Sequence, residues 1–283
     1  MIVDVHSHVW TYPDHIDEIF MDGLRLARPG VKIDITVNFE PFMAASAPCD
    51  RVVVFGMRAL KTGLHVPNDF IAGFVARAPE KLIGFMSIDP SEPEWRDDFE
   101  RSHRDLQLKG VKLGPIYAGF DPTDPRLDPL YAGCVKHNLP VLIHVGTSFV
   151  RFGPLEWSRP ILIDAIARKF PDLRIIMAHL GHPWEGETIA VIRKHPHVYA
   201  DISALHYRPW QLYHSLMLAQ EYGVMNKLLF GTDYPFTTAA ATMDGLRTIN
   251  RFCGGTSLPR VNEQSIEELI HRDALQLLWG GAP

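Results

Sequence analysis

The sequence predicts an α/β fold, a distorted (β/α)8 TIM barrel. Three observations carry that prediction. Eight short apolar runs recur along the chain, each separated from the next by a longer helical pattern. Several runs are continuous stretches of Val, Ile and Leu, as expected of parallel strands buried on both faces. The length of 283 residues fits one such barrel, which commonly runs to ~250 residues. An open doubly wound sheet shares the local signature; the length and the count of eight favour the barrel.

The first strand is predicted over 2–5 and leads into His6-Ser7-His8. The others are predicted over 51–55, 82–87, 110–113, 140–144, 173–178, 198–202 and 227–230. Helices are predicted over 69–78, 92–106, 128–137, 159–169, 185–194, 210–222 and 239–252. Asn262 opens a last helical pattern from 263 to about 278. Two segments break the alternation. Residues 9–50 carry Pro13, Pro29, Pro41 and Pro48 and read as a loop insertion over the barrel mouth, a lid or substrate loop. Residues 114–129, with Asp-Pro-Thr-Asp-Pro-Arg-Leu-Asp-Pro, read as a turn-rich loop after strand four. No repeat or linker divides the chain, so 1–283 is read as a single domain.

Composition narrows the function. With 46% hydrophobic and 22% charged residues the chain is globular rather than disordered. A net charge of −5 argues against a nucleic-acid partner. No apolar run approaches the ~20 residues of a membrane span. Cys49, Cys134 and Cys253 are isolated, so neither a disulfide framework nor a cysteine zinc site is expected. A reducing, cytoplasmic location and a small-molecule substrate are the expectation. The N-terminus has no basic region or long apolar run of a leader type, and its strand signal begins at Ile2.

Polar residues stand where strands end. His6 and His8 close strand one, Lys112 lies in strand four, His144 ends strand five, and His179 follows strand six. Asp201 lies in strand seven, and strand eight runs into Gly231-Thr232-Asp233. In a barrel these ends converge on one face. His6 and His8, two apart, share one side of an extended strand. With His144 and Asp233 they make a four-ligand set of nitrogen and oxygen donors, suited to zinc, with manganese, iron or cobalt as alternatives. Singly, a His-x-His pair, a core histidine or a turn aspartate has a plain structural reading. Their joint occurrence in barrel order favours a metal centre. His15, His65, His103, His137, His195, His197 and His271 lie in loops or helix patterns and read as surface or capping residues.

Five stretches together resemble the amidohydrolase superfamily: Asp-Val-His-Ser-His at 4–8, Gly-Val-Lys-Leu-Gly-Pro at 110–115, Val-Leu-Ile-His-Val-Gly at 141–146, Met-Ala-His-Leu-Gly at 177–181 and Phe-Gly-Thr-Asp-Tyr-Pro at 230–235. The nearest branch is the amidohydrolase-related group, with aminocarboxymuconate-semialdehyde decarboxylase-like enzymes and small lactonases. The resemblance implies a distorted (β/α)8 barrel with His6, His8, His144 and Asp233 as metal ligands. It places His179 beside the metal, touching substrate or water. Lys112 matches a position that is a carboxylated lysine bridging two metals in some members; a free lysine facing substrate or paired with a carboxylate is the alternative. Single-metal sites predominate in the branch, which favours one metal here. A homodimer is also implied by the resemblance alone.

The favoured reaction is hydrolysis of a small, carboxylated substrate through a metal-activated water, with Asp233 as proton carrier and His179 orienting the water. The rival is non-oxidative decarboxylation of a small unsaturated or aromatic acid. That reaction calls for cationic residues in loops, for which the sequence offers Arg151, Arg58 and Lys61. A non-catalytic metal-binding protein is a remote third. Trp10, Tyr117, Phe149, Arg151, His182 and Trp184 are the candidate substrate contacts, and Asp201 a candidate hydrogen-bond partner for a ligand histidine.

Overall fold

Eight parallel strands follow one another in chain order: β1 Val3–His8, β2 Arg51–Phe55, β3 Leu82–Ser87, β4 Val111–Leu113, β5 Val141–Ile143, β6 Ile175–Met177, β7 Val198–Asp201 and β8 Leu228–Leu229. The computed structural model describes residues 1–30 and 34–283. Residues 31–33, part of the 9–50 insertion expected from the sequence, lie outside the described residues. The circle closes just past β8. Val5 N–H donates to Phe230 O at 3.0 Å, Asp233 N–H to His6 O at 2.8 Å, and His8 N–H to Tyr234 O at 2.8 Å. The result is the expected distorted, nearly closed barrel.

Alternation along the strands builds two cores. Val52, Val54, Val111, Leu113, Val141 and Ile143 face outward and pack under the helices. Val3, Val5, Val53, Phe55, Ile83, Phe85 and Leu142 fill the interior, together with Ala274, Leu275 and Leu278. The latter three belong to the C-terminal helix Ala274–Trp279, which packs on that interior cluster. The site therefore has the other end of the barrel to itself.

Helices Asn68–Val75, Trp95–Arg104, Asp128–Lys136, Leu162–Lys169, Glu185–Lys194, Pro209–Glu221 and Ala239–Arg247 fall between the strands or after β8. Boundaries differ from the sequence reading where prolines and caps intervene. Pro93 and Pro160 delay two helix starts, to Trp95 and Leu162. The run expected over 263–278 is two helices, Glu263–Ile270 and Ala274–Trp279; Asp273 accepts from Gln276 N at 3.0 Å and starts the second. Among its described residues the 9–50 segment holds two helices, Glu18–Ala27 and Phe39–Ala45, and the first buries Phe20, Met21 and Leu24. The 114–129 segment holds the helical turn Pro115–Ala118 and the 3₁₀ turn Pro125–Leu127. No described helix is long and apolar enough to cross a membrane.

One carboxylate fastens the seam. Asp4 accepts from His6 N at 3.0 Å, Ser7 Oγ at 2.9 Å, Thr232 N at 3.1 Å and Thr232 Oγ1 at 2.7 Å. Burial pushes its carboxyl up to about 6 in spite of these four donors. Asp4→Ala leaves two N–H groups and two hydroxyls without their acceptor, so a loss of about 3–5 kcal/mol is expected in urea unfolding. A loss below ~1 kcal/mol, within the usual range of harmless surface changes, would show that the strand hydrogen bonds alone close the barrel.

Candidate metal and catalytic site

A bulge sets the site's first two residues. In the β1–β2 ladder Asp4 pairs with Val52 but Ser7 with Val54, so β1 carries one extra residue between them. Val3 and Val5 point into the barrel below the bulge. Beyond it the phase has switched, and His6 and His8 turn inward over the Phe55 ring, centroids at 5.1 and 4.7 Å. Strand β1 thus extends through His8, three residues past the end expected from the apolar run.

Asp201, at the end of β7, is the hub. His6 Nδ1 lies 2.8 Å from Asp201 Oδ2. The other oxygen accepts from His179 N at 2.9 Å, from Ser203 N at 3.0 Å, and from the Ser203 hydroxyl. A carboxylate only accepts, so the proton of His6 sits on Nδ1. Its Nε2 then presents a lone pair, and that atom is buried with no hydrogen-bond partner among the described residues. His179 Nδ1 meets Ser203 Oγ at 2.7 Å, which leaves its Nε2 for the site. His179 and Leu180 have φ of 56° and 49°, and Asp233 has 68°, left-handed conformations rare outside glycine. Strain of this kind persists where surrounding bonds over-determine it, and it clusters at functional sites.

Asp233 Oδ1 lies 3.5 Å from His6 Nε2 and 3.4 Å from His8 Nε2. His6, His179 and Asp233 each offer an atom within 4.8 Å of the others. Of the four residues expected as ligands, His6 and Asp233 belong to that tight group; His8 joins it through Asp233. His144 stands further out, its Nε2 at 3.3 Å from Thr147 O and its ring 5.2 Å from that of His179. The donor set and the unpartnered His6 Nε2 fit a divalent transition ion.

Electrostatics agree with a cation-binding place. Burial holds His6, His8 and His179 well below the usual histidine range and pushes His144 down to about 3, with the Lys112 ammonium adding to each shift. Neutral imidazoles are what a metal requires. Burial pushes Asp233 up to about 8, against the pull of Lys112. Lys112 is wholly buried, its Nζ has no hydrogen-bond partner among the described residues, and it stands 4.8 Å from the Phe55 ring. Burial lowers it to about 7, opposed by Asp201 and Asp233.

Above this floor opens a cavity of about 340 Å³, walled by Trp10, Phe20, Tyr117, Phe149, Tyr207 and Phe236. Of the residues read from the sequence as candidate substrate contacts, Trp10, Tyr117, Phe149 and His182 line this cavity. Arg151 does not: it lines a neighbouring groove. Trp184 lies outside as well, packed under the Arg159 guanidinium at 5.1 Å. Arg58 is spent on Glu92, and Lys61 also sits outside. The cations that do line the cavity are Arg28 and Arg208, neither anticipated from the sequence. Arg208 follows β7 as the other site residues follow their strands, a signal that was there to use. Arg28 ends the Glu18–Ala27 helix, inside a segment read as loop, and had no signal. Arg28 donates to Tyr207 Oη at 3.0 Å and lies 4.6 Å over the Phe236 ring.

Residues 3–260 match the Amidohydrolase family model. The chain belongs to the amidohydrolase family. As a member it is an enzyme that works with a divalent metal. 2-Amino-3-carboxymuconate-6-semialdehyde decarboxylase of Dictyostelium discoideum is 24% identical over 240 residues. That stretch is 75% of this chain and 65% of the relative, so the match spans less than two thirds of the relative's length. A dihydroxybenzoic acid decarboxylase from Polaromonas sp. JS666, solved with manganese and 2-nitroresorcinol, has a TM-score of 0.66 at 16% identity, covering 98% of this chain and 96% of that one. A probable 2-pyrone-4,6-dicarboxylic acid hydrolase from Acinetobacter baumannii, with citric acid bound, has a TM-score of 0.68 at 14% identity, covering 99% of each chain. Both structures share the fold.

The buried histidines of this amidohydrolase set its acid stability. A histidine neutral in the folded state takes up a proton on unfolding below its ordinary value of 6.5. Stability from His6, His8, His144, His179 and His182 is therefore full above that value and lost as pH falls. Asp4 and Asp233, both raised, act in the opposite sense but are two against five. The melting temperature of metal-free protein is expected to drop steadily from pH 7 to pH 5. A flat profile across that range would show that the cluster is not held neutral.

Proposed function

We propose that the protein is a metal-dependent, non-oxidative decarboxylase of a small planar carboxylic acid, unsaturated or aromatic. The observation that carries this is the pair Arg28 and Arg208 on an aromatic-walled cavity above the His/Asp cluster. Neither guanidinium pairs with a carboxylate among the described residues. Recognition of a planar acid needs cations for a carboxylate and rings for the body, and this cavity supplies both. The decarboxylases among the relatives support the same reading.

His6, His8, His144 and Asp233 are the proposed ligands, and three imidazoles with one carboxylate suit zinc. The manganese in the Polaromonas enzyme makes manganese the competing ion. When bound, the metal supplies a positive charge that draws a substrate oxygen to the floor and stabilises negative charge developing there. Arg28 and Arg208 grip a substrate carboxylate by charge-assisted hydrogen bonds, and Trp10, Tyr117 and Phe236 set the plane of its body. The bond from carbon to the departing carboxyl breaks, its electron pair stays on carbon, and carbon dioxide leaves. Asp233 turns one oxygen to His6 and His8; its other oxygen is the proposed carrier of the proton that replaces the carboxyl. His179, anchored through Nδ1 on Ser203, presents Nε2 to the substrate. Asp201 fixes both histidines without touching it. Lys112, buried below the cavity, is proposed as a free ammonium balancing the carboxylates.

Hydrolysis is the second reading, favoured by a carboxylate beside a metal site and by the pyrone hydrolase's shared fold. Assays against aromatic and unsaturated acids on one side and lactones on the other separate the two. Carbon dioxide release, lost with chelator and restored by zinc or manganese, is the expected result. Label from oxygen-18 water in the organic product, without carbon dioxide, would overturn the proposal. Arg28→Ala is expected to raise KM about 10–100-fold with a smaller effect on kcat, the worth of a charged hydrogen bond. An unchanged KM would remove Arg28 from the substrate site.

A further inference from the structure

Arg151 and Lys61 stand on the far side of the wall that bounds the catalytic cavity. Phe20 and Phe149, ring centroids 5.3 Å apart, line that cavity on one side and a separate groove of about 340 Å³ on the other. We propose that this groove is a second binding site, for a small apolar carboxylate, with its body against Ile19, Leu26 and Phe152 and its carboxylate between Arg151 and Lys61.

The walls are wrong for a plain solvent surface. Ile19 is 63% exposed, Leu26 66% and Phe152 45%, and all three line the one groove. Ile19 and Leu26 are seven apart on the helix Glu18–Ala27, hence on one face. That helix already buries Phe20, Met21 and Leu24, so it carries a second apolar stripe where a polar one is the norm. Clustered apolar exposure of this kind marks a binding place.

The charges are wrong for any but an anionic occupant. Arg151 makes no ion pair among the described residues, and Lys61 makes only a long hydrogen bond to Gly119 O, 3.4 Å. The groove's one acid, Asp22, is compensated by Arg25 at 2.9 Å. An inorganic anion would leave the apolar walls uncovered, whereas a ring or short chain with one carboxylate satisfies walls and cations together. The volume suits a small molecule.

The groove is also built rather than incidental. The segment bearing Arg151 is clamped on both sides of it. Phe149 lies on Gly23, where a Cβ would come within 2.9 Å of the ring, and a Cβ at Gly153 would come within 2.3 Å of Ile116 O. Neither clamp tolerates a side chain on its glycine without a shift.

The proposal goes beyond the decarboxylase reading and does not depend on it. The test titrates the metal-loaded, full-length enzyme with 4-fluorobenzoate, followed by fluorine NMR. Two bound equivalents are expected, one in each cavity. Lys61→Ala combined with Arg151→Ala is expected to weaken one of them about tenfold or more. Leu26→Glu, on the exposed helix face, is expected to do the same by charge repulsion, and it decides the matter should the double variant fail to fold. Arg28→Ala is expected to weaken the other equivalent; if it weakens neither while the groove variants still remove one, the catalytic reading falls and the groove stands. A single equivalent that the groove variants remove upholds the groove and counts against the catalytic reading. Any wild-type binding, one equivalent or two, that persists undiminished in both groove variants overturns the proposal. So does self-association abolished by Leu26→Glu with no carboxylate bound in the groove, which would give this face to a second copy of the chain.

Discussion

The site depends on one buried carboxylate. Asp201 reaches from the end of β7 to His6 of β1 and to the backbone of His179 beyond β6, and it is fully buried. Two consequences follow from its being an acceptor only. His6 must carry its proton on Nδ1 and turn its lone pair to the cavity floor. His179 must hold the left-handed turn that places its ring between His6 and His144, centroids 4.7 and 5.2 Å away. An amide at 201 that keeps its oxygen toward the three donors on Oδ1 would turn its NH2 toward His6 Nδ1, donor against donor, and force the proton of His6 onto the Nε2 that faces the floor, so shape alone cannot replace the carboxylate. Ser203 completes the arrangement by joining Asp201 to His179 Nδ1.

What was legible in the sequence, and what was not, divides along a physical line. Buried parallel strands must be apolar on both faces, so all eight could be located as continuous runs. Strand ends in a barrel converge, so polar residues just beyond those runs can be gathered into one place from the sequence alone. His6, His8, Lys112, His144, His179, Asp201 and Asp233 were found this way. The β1 bulge was not, because it is a matter of ladder register and leaves no mark in a six-residue run. Arg28 escaped because its helix begins after a proline-bearing stretch and buries its apolar face in the mouth rather than under a neighbouring helix. Arg151 was misplaced for a related reason: sequence shows that a residue follows a strand, not which side of an aromatic wall its loop takes. Substrate contacts come from loops, and loop paths are set by packing at single residues such as Gly23 and Phe149.

The charges of the centre argue for what it receives. Asp201 and Asp233 are two buried carboxylates, and Lys112 is the one ammonium among them. Without a metal the cluster is one charge short on the positive side, and burial answers by pushing Asp233 toward its protonated form. A divalent ion reverses the imbalance and leaves one positive charge in excess inside a low-dielectric floor. Arg28 and Arg208 add two more at the cavity wall, in no ion pair among the described residues though both pull on Asp233 through space. A cavity so charged is incomplete until an anion enters. The aromatic walls then restrict which anion: a hydrated inorganic ion would face rings that cannot replace its water, while a planar organic acid covers them. The same reasoning explains why the proposed metal and substrate sites are stacked rather than merged. Ligand histidines must be dry to stay neutral, and cations must stay partly wet to remain unpaired and available. The step from floor to wall of this cavity is the step between those two environments.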